Sequence, residues 1–375
     1  MKSLKYLFLV LILILSMAAC TDESLSPIFY TLETERSLVE DRGLEDEMTI
    51  HEVVKADSYN RYFAAGNTLF TRTDATDSKW SVIDAPVSGA LCNTLGVFTP
   101  VANEYVYAGF FSIDGDGLGA WYWDQLVTTW FQVSDLNGHL QNDDQIIMIK
   151  TIDTNIFISV AIYDDVSKTY KDYDLYYSSN GTAFEEATFN LTIDDTITVP
   201  ITDIAWDGAN TFWVIAGPYL YEDTDGLASL DLTIVSGGPT NPGTKPFGGL
   251  LYSTDLYVST KGGELWSYDG GTWSGPTSVT VDGDDVRFTR FVDVTTVSGD
   301  ILVGTEGSGY FRLIGGVQTN YERRPEYNIS ALYNGAINSF FLDTSVAPDA
   351  LFACTFGAGL WRADYDGGGW LWVQE

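Results

Sequence analysis

The sequence has little histidine and little positive charge. His51 and His139 are its only histidines, and neither stands beside a serine or cysteine motif, so histidine-based catalysis is nearly excluded by supply. Zinc sites with cysteine and histidine spacing are absent. The chain has 19 Lys and Arg against 52 Asp and Glu, a formal net charge of −33, and such a surface repels phosphate backbones. We therefore expect no nucleic-acid partner.

Cysteine is also scarce, with 3 residues in 375. Cys92 and Cys354 lie in apolar, strand-like segments, and a chain of this length with so few cysteines is not a disulfide scaffold. We interpret them as two buried thiols, with a disulfide between them as the alternative.

The third cysteine belongs to an N-terminal segment typical of secretory signal peptides. Lys2 and Lys5 precede an apolar run over residues 6–15 that is too short to span a bilayer comfortably, although a membrane anchor is the alternative. Ala18-Ala19-Cys20 resembles a bacterial lipobox, whose cysteine receives diacylglycerol and becomes the mature N-terminus. The resemblance implies a signal peptide over residues 1–19 and a lipoprotein anchored through Cys20, on the periplasmic or cell-surface face of the outer membrane.

Two further regions follow the signal peptide. Residues 20–45 are mostly acidic and polar, which favours a tether after the lipidated cysteine. Residues 46–375 carry a repeat in which an aliphatic or aromatic residue precedes an aromatic one, usually shortly after a glycine. The seven terminal aromatics are separated by 51, 55, 45, 45, 45 and 50 residues, and they are Phe70, Trp121, Tyr176, Tyr221, Trp266, Phe311 and Trp361.

The repeat is clearest over residues 256–273. Alternating apolar segments over 256–260 and 264–268 flank Gly262-Gly263, and a third segment starts at Trp273, which is typical of antiparallel strands joined by tight turns. Four short strands in each unit of 45 to 55 residues indicate a blade that must stack on its neighbours. The sequence therefore predicts an all-β, seven-bladed β-propeller of four-stranded antiparallel blades over residues 46–375.

A short motif in the same stretch carries a family resemblance. Ser267, Asp269, Gly271, Thr272 and Trp273 resemble the Asp-box of the sialidase-type, BNR-repeat propellers. In that family the box is a folding device between the third and fourth strands, so the resemblance implies an aspartate that caps backbone N–H groups and a tryptophan that packs in the core. The family includes glycosidases as well as binding modules, so the box does not decide the activity.

Acidic turns raise one metal hypothesis. Asp114 and Asp116 alternate with other residues before a glycine, as in the first half of a calcium loop, but the twelfth position is Trp123 rather than a bidentate glutamate. We expect no cofactor, with weak Ca²⁺ binding as the alternative reading of these turns.

We predict a monomeric, non-catalytic module that binds or scaffolds a protein or glycan of the cell envelope. A carbohydrate-active enzyme of the sialidase-like class is the first alternative, but arginine is sparse and no arginine triad or carboxylate pair can be assigned. An envelope assembly factor is the second alternative. The segments that depart most from the repeat are residues 114–119, 163–173 and 237–245, and we expect function there.

Overall fold

The structure is a computed structural model, and it describes residues 43–44, 47–73, 79–100, 103–133, 143–164, 166–167, 169–190, 197–227, 230–236, 238–239, 245–323, 332, 334–365 and 369–375. The predicted signal peptide, Cys20 and all of the predicted tether except residues 43–44 lie outside the described residues. Within these ranges, no helix combines the length and the apolar character needed to cross a membrane.

Short strands make up most of the described chain. The strands of the first four blades and of the segment between blades 3 and 4 are β1 (Glu52–Ala56), β2 (Arg61–Ala65), β3 (Leu69–Thr73), β4 (Ser81–Ile83), β5 (Leu91–Phe98), β6 (Tyr105–Phe111), β7 (Gly117–Asp124), β8 (Thr129–Gln132), β9 (Gln145–Ile152), β10 (Asn155–Asp164), β11 (Thr169–Ser178), β12 (Glu185–Glu186), β13 (Thr188–Asn190), β14 (Ile201–Trp206), β15 (Phe212–Ala216), β16 (Tyr219–Asp223) and β17 (Asp231–Ile234).

The last three blades continue the same pattern. Their strands, with a small hairpin between blades 5 and 6, are β18 (Phe247–Tyr252), β19 (Leu256–Thr260), β20 (Glu264–Tyr268), β21 (Trp273–Ser278), β22 (Thr280–Val281), β23 (Asp284–Asp285), β24 (Phe288–Val294), β25 (Asp300–Thr305), β26 (Tyr310–Leu313), β27 (Tyr321–Arg323), β28 (Ala336–Asp343), β29 (Ala350–Phe356), β30 (Leu360–Tyr365) and β31 (Trp370–Gln374). Helical segments are short and include one α-helix, α1 (Thr295–Ser298), and two 3-10 turns, Asp57–Tyr59 and Ile314–Gly316.

Apart from the two-stranded β22–β23 hairpin, the strands form seven sheets that follow each other along the chain. In each blade four consecutive strands pair antiparallel, which confirms the predicted seven-bladed propeller. Blade 4 has one addition that the repeat does not predict, because β13 joins the outer strand β17 in parallel. Phe189 of β13 meets the Tyr221 ring edge-on at a centroid distance of 5.2 Å, so the extra strand covers apolar surface of this blade.

Apolar clusters fill the gaps between neighbouring blades. Each of the seven clusters combines buried side chains from two adjacent blades, including the pair formed by blades 7 and 1. The first strands contact one another around the ring and are therefore innermost. Large aromatics suit this wedge-shaped space because each one buries a large apolar area.

The seven repeat aromatics occupy equivalent places, one on the third strand of each blade. Five of them are buried, whereas Trp121 and Trp266 are only partly buried at the edges of their clusters. Cys92 in blade 2 and Cys354 in blade 7 are both buried and free.

Glycine sets the turn in the clearest repeat. Gly263, between β19 and β20, has φ +80°, and a Cβ atom there would lie 2.7 Å from the Val279 carbonyl oxygen. Only glycine accommodates both the left-handed backbone and this close approach without strain. The turn therefore depends on Gly263.

Two buried ion pairs join blade 7 to blade 1, and we call this region the seam. Lys55 Nζ lies 2.8 Å from Asp343 Oδ2, with both side chains 3% exposed. Arg72 pairs with Glu375, and Trp80 Nε1 donates to the same carboxylate at 3.1 Å. The seam thus closes the ring with charge-assisted hydrogen bonds in addition to apolar packing.

Candidate functional site

The central channel is a feature that all seven blades share. It contains a cavity of about 280 Å³ that every blade lines with at least one residue. Lys261 and Glu306 line it from turns between second and third strands. We call the face that carries these turns the mouth face, and the opposite face the Asp-turn face. The lining residues on the innermost strands or just before them are His51, Glu52, Asn93, Ile147, Thr202, Gly248, Thr289, Arg290 and Asn338.

A β-bulge turns these residues toward the channel. Six of the seven innermost strands, those of blades 2 to 7, shift register against their second strand at the lining position. Asn93, for example, is the unpaired residue between Cys92 and Thr94. A bulge bends its strand and redirects one side chain, which accounts for a ring of inward-facing residues at the same depth.

Side chains of this ring bind the backbone of the next blade. Asn93 Nδ2 donates to the Ile146 carbonyl at 2.6 Å, and Thr289 Oγ1 donates to the Ile337 carbonyl at 2.7 Å. The circle closes where Asn338 Nδ2 of blade 7 donates to the Ile50 carbonyl at 2.8 Å. Because bulges leave backbone groups without a ladder partner, these bonds also satisfy groups that the sheets cannot.

Arg290 reaches from blade 6 past blade 7 to Glu52 of blade 1, with 3.0 Å between Nη1 and Oε1. Burial works against the charged guanidinium, but Glu52 and then Asp203 outweigh it and raise the pKa of Arg290. The second oxygen of Glu52 accepts from Thr94 Oγ1 and from the Leu95 N–H, both at 2.9 Å. This carboxylate is therefore engaged in holding the inner ring together.

A second buried carboxylate has the same role across the ring. Asp203 Oδ1 lies 2.7 Å from Lys150 Nζ, and Asp203 Oδ2 accepts from the Leu250 N–H at 2.9 Å. The carboxylate thus links blades 3, 4 and 5. Both oxygens of Asp203 therefore hold neighbouring blades together.

Other groups at the mouth are open to a ligand. The His51 imidazole makes no hydrogen bond within the described part of the chain, and burial lowers its pKa, which keeps it neutral at pH 7. Asn93 Oδ1 is buried without a hydrogen-bond partner in the same part. Lys261 and Glu306 neutralise each other at a distance of 2.6 Å. The mouth is therefore polar and close to charge-neutral, unlike the acidic protein as a whole.

Two of the three predicted functional segments lie on the mouth face. Residues 114–119 and 163–173 contain the turns between second and third strands of blades 2 and 3, and they touch where Tyr170 Oη donates to the Gly115 carbonyl at 3.1 Å. Only Gly238, Pro239 and Lys245 of segment 237–245 lie within the described residues. The structure thus brings two separately predicted segments together.

The predicted calcium turn has an internal polar network. Asp114 and Asp116 are exposed, and their backbone N–H groups bond to Ser112 Oγ at 3.2 and 3.1 Å. Within the described ranges, no group of three or more histidine, cysteine, aspartate or glutamate side chains could hold a metal ion.

The residues of the predicted Asp-box lie on the opposite face. Asp269 Oδ1 accepts from the Gly271 and Thr272 N–H groups at 2.9 and 2.7 Å, and these bonds lower the pKa of its carboxyl group. Trp273 stacks on Tyr268 with centroids 4.9 Å apart, while Ser267 is buried in β20. The aspartate stabilises the turn between the third and fourth strands of blade 5.

Arginine is dispersed rather than clustered in the described structure. Arg72 lies in the seam and Arg290 in the channel, whereas Arg312 pairs with Asp300 and Glu322 in blade 6. Arg362 pairs with Asp364 in blade 7. A carboxylate-binding triad needs three guanidinium groups around one cavity, and the described arginines do not share one.

The repeat pattern missed the channel residues because it follows apolar and aromatic positions. A signal was nevertheless available, since polar pairs interrupt apolar first strands at Asn93-Thr94, Thr202-Asp203, Thr289-Arg290 and Asn338-Ser339. Polar pairs in strands that are otherwise buried mark the face directed at the channel.

The fold is similar to those of solved propellers. "YCF48 bound to D1 peptide" matches with TM-score 0.58 and 10% identity over 88% of this chain and 97% of that chain. "YCF48 from Cyanidioschyzon merolae" matches with TM-score 0.56 and 9% identity over 87% and 98%. Chaetomium thermophilum Raptor matches with TM-score 0.53 and 10% identity over 90% of this chain but only 28% of its own.

At these identities the likeness concerns the fold alone. No protein-family model matches the sequence, and no curated protein does. The sequence repeat and the sheet topology agree on seven blades, and the solved structures are similar in fold.

Proposed function

We propose that this protein is a non-catalytic binding and scaffolding module whose mouth face receives an extended segment of a protein partner. One observation carries the proposal. The three most exposed large apolar side chains of the described residues are Val166, Ile113 and Phe356, at 92%, 83% and 67% exposure. All three lie in or beside a turn between second and third strands, in blades 3, 2 and 7. Apolar groups around a polar mouth have the composition of a protein-binding surface.

The chemistry of the mouth suits a polypeptide. Asn93 Oδ1 accepts hydrogen bonds, while the neutral imidazole of His51 both donates and accepts, as side-chain and backbone amides require. A propeller similar in fold is recorded with a bound peptide. We extend to this chain only the idea that such a disc holds an extended segment.

The cellular setting is part of the proposal. Export by the segment 1–19, lipidation of Cys20 and a tether over residues 20–45 would hold the propeller beside an envelope membrane, where it acts as a monomer. The outer membrane is the membrane we favour. A protein partner in that envelope takes precedence over a glycan because of the apolar side chains around the mouth.

We further propose that the repeat is of the BNR type. The support is the geometry of Asp269, whose carboxylate accepts two backbone N–H groups of its own turn. A sialidase-like activity has less support, because Glu52 and Glu306, the two carboxylates that line the channel cavity, are already paired with Arg290 and Lys261.

Site-specific photo-crosslinking in intact source cells tests this function. We would place p-benzoylphenylalanine at Phe356 on the mouth face and, as the matched control, at Leu126, which is 62% exposed between β7 and β8 on the Asp-turn face. We expect a discrete protein adduct from position 356 and none from position 126. Equal adducts at both positions, or adducts from position 126 alone, would refute the mouth face as the binding surface.

A further inference from the structure

A second cavity lies between blades 4 and 5 on the Asp-turn face, away from the channel. Its volume is about 230 Å³, which is enough for one side chain or a small ligand. Its lining residues come from both blades at this face, and they are Asp207, Thr211, Trp213, Glu222, Thr224, Tyr252, Thr254, Tyr268, Asp269 and Gly270. No part of the proposed mouth-face function uses these residues.

Aromatic rings form two sides of this cavity. Tyr252 stacks on Trp213 with an interplanar angle of 16° and centroids 5.7 Å apart. Tyr268 stacks on Trp273 with an interplanar angle of 27°. Each tyrosine is thus backed by a tryptophan, which holds its ring in place before any ligand arrives.

The cavity is negatively charged, with three carboxylates and no lysine or arginine among its lining residues. Asp207 and Asp269 each cap backbone N–H groups through Oδ1. Burial alone works against ionisation of Asp207, yet its backbone bonds lower the pKa of that carboxyl group, and those of Asp269 do the same. Both groups are therefore anionic at neutral pH.

Glu222 is the lining carboxylate to which a cation would add most. It lies directly across from Trp213 in the β15–β16 pair. It forms no ion pair within the described residues, and burial raises the pKa of its carboxyl group. A half-buried carboxylate among aromatic rings gains most from a cation placed beside it.

Trp213 belongs to the same wall of the cavity as Glu222. Its side chain is almost fully buried, at 3% exposure, yet its indole N–H lacks a hydrogen bond of normal geometry. The N–H lies near Glu222, and its interaction with that carboxylate favours the charged form, although burial still raises the pKa of Glu222. An indole N–H and an ammonium group are both donors, so Trp213 supports the anionic form of Glu222, and the carboxylate and the ring faces are the groups that a cation can contact.

We propose that this cavity binds an alkylammonium group, the lysine side chain of a polypeptide partner. Ring faces of tyrosine and tryptophan attract cations, and the site adds the Glu222 carboxylate as a direct partner for the ammonium group. The alkyl stem of lysine packs on the rings while its charged end meets the carboxylate. A neutral sugar would also stack on the tyrosines, but it would not use the charge that the site concentrates.

The probe for this site is Nα-acetyl-L-lysine methylamide, added to protein labelled with 5-fluorotryptophan. The chain has 11 tryptophans, and a Trp213→Phe variant identifies the ¹⁹F resonance of Trp213. We expect a saturable shift of that resonance with the lysine probe and none with its Nζ-acetylated form. Glu222→Gln should weaken binding about tenfold, whereas Asp116→Asn, which removes an exposed charge on the mouth face, should leave it unchanged.

Three results would overturn the proposal. They are an equal shift with the acetylated probe, unchanged binding in Glu222→Gln, and a shift with N-acetylglucosamine when the lysine probe gives none. If Glu222→Gln does not fold, Tyr268→Leu serves as the second variant, and the same tenfold loss is expected. Because the mouth is not involved, binding here is expected even if crosslinking at Phe356 fails.

Discussion

The Lys55–Asp343 pair of the seam gives a quantitative prediction for ring closure. Replacing Asp343 by alanine leaves the Lys55 ammonium buried without its carboxylate and removes an acceptor from the Tyr62 and Ser345 hydroxyls. Breaking a buried pair from one side costs about 3–5 kcal/mol, and a whole domain has only about 5–15 kcal/mol of stability. We expect Asp343→Ala to lower the free energy of unfolding by that amount in urea denaturation.

Two controls separate this effect from a general loss of charge. Lys245 and Asp285 form an exposed pair, at 46% and 55% exposure, so Asp285→Ala should lower the free energy of unfolding by less than about 1 kcal/mol. The double variant Lys55→Met with Asp343→Leu should recover most of the loss, because apolar residues of similar size often replace a buried pair at little cost. An Asp343→Ala protein that unfolds at the wild-type urea concentration, or a double variant no more stable than Asp343→Ala, would contradict this role of the buried pair.

The Asp343 carboxylate also makes the stability of the protein depend on pH. Although burial works against ionisation, hydrogen bonds from Lys55, Ser345 and Tyr62 hold the pKa of Asp343 below its ordinary value. A depressed folded-state pKa contributes stability that is present above the unfolded-state pKa and is lost as the pH falls through the folded-state pKa. Lowering the pH should therefore reduce the free energy of unfolding of the wild type by more than it reduces that of Asp343→Ala.

Further predictions concern the blade interfaces, the anchor and the acidic turns. Trp361→Ala should cost about 3–5 kcal/mol in the same urea assay, since Trp361 is buried and donates to the Ala358 carbonyl at 2.8 Å. The partly exposed Trp266 should cost less when replaced by alanine, about 1–3 kcal/mol; equal losses would contradict this ranking. Cys20→Ala should move the protein from the membrane to the soluble fraction of source cells, and unchanged membrane retention would disprove lipid anchoring at Cys20. If the acidic turns around Asp114 and Asp116 bind Ca²⁺, calcium should raise the thermal midpoint and EDTA should reverse the rise, whereas an unchanged midpoint would remove the hypothesis.

The sequence predicted what depends on local pattern. The seven aromatics from Phe70 to Trp361 mark the third strands because blade strands alternate and must bury one large ring per unit. The capping geometry at Asp269 followed from its own turn, since donor and acceptor lie within three residues. Blade number and strand pairing could therefore be predicted without the structure.

The sequence did not predict what depends on distant partners. Lys55 and Asp343 are 288 residues apart, and Arg72 and Glu375 are 303 apart, so nothing local pairs them. The bulges that turn Asn93 and Asn338 toward the channel do not alter the positions of the apolar and aromatic residues that define the repeat. The parallel strand β13 arises from tertiary packing of Phe189 on Tyr221, and the repeat pattern does not show this contact.

Co-purification, without a crosslinker, of the partner identified by crosslinking tests the central claim, that the mouth face is the binding surface. One variant replaces Ile113, Val166 and Phe356 by serine. The matched control replaces Leu126, Val127 and Val317, which are exposed on the Asp-turn face, by serine. We predict that the mouth variant recovers at least tenfold less partner than wild type and that the control recovers the wild-type amount. Full recovery by the mouth variant, or loss in the control alone, would contradict the account.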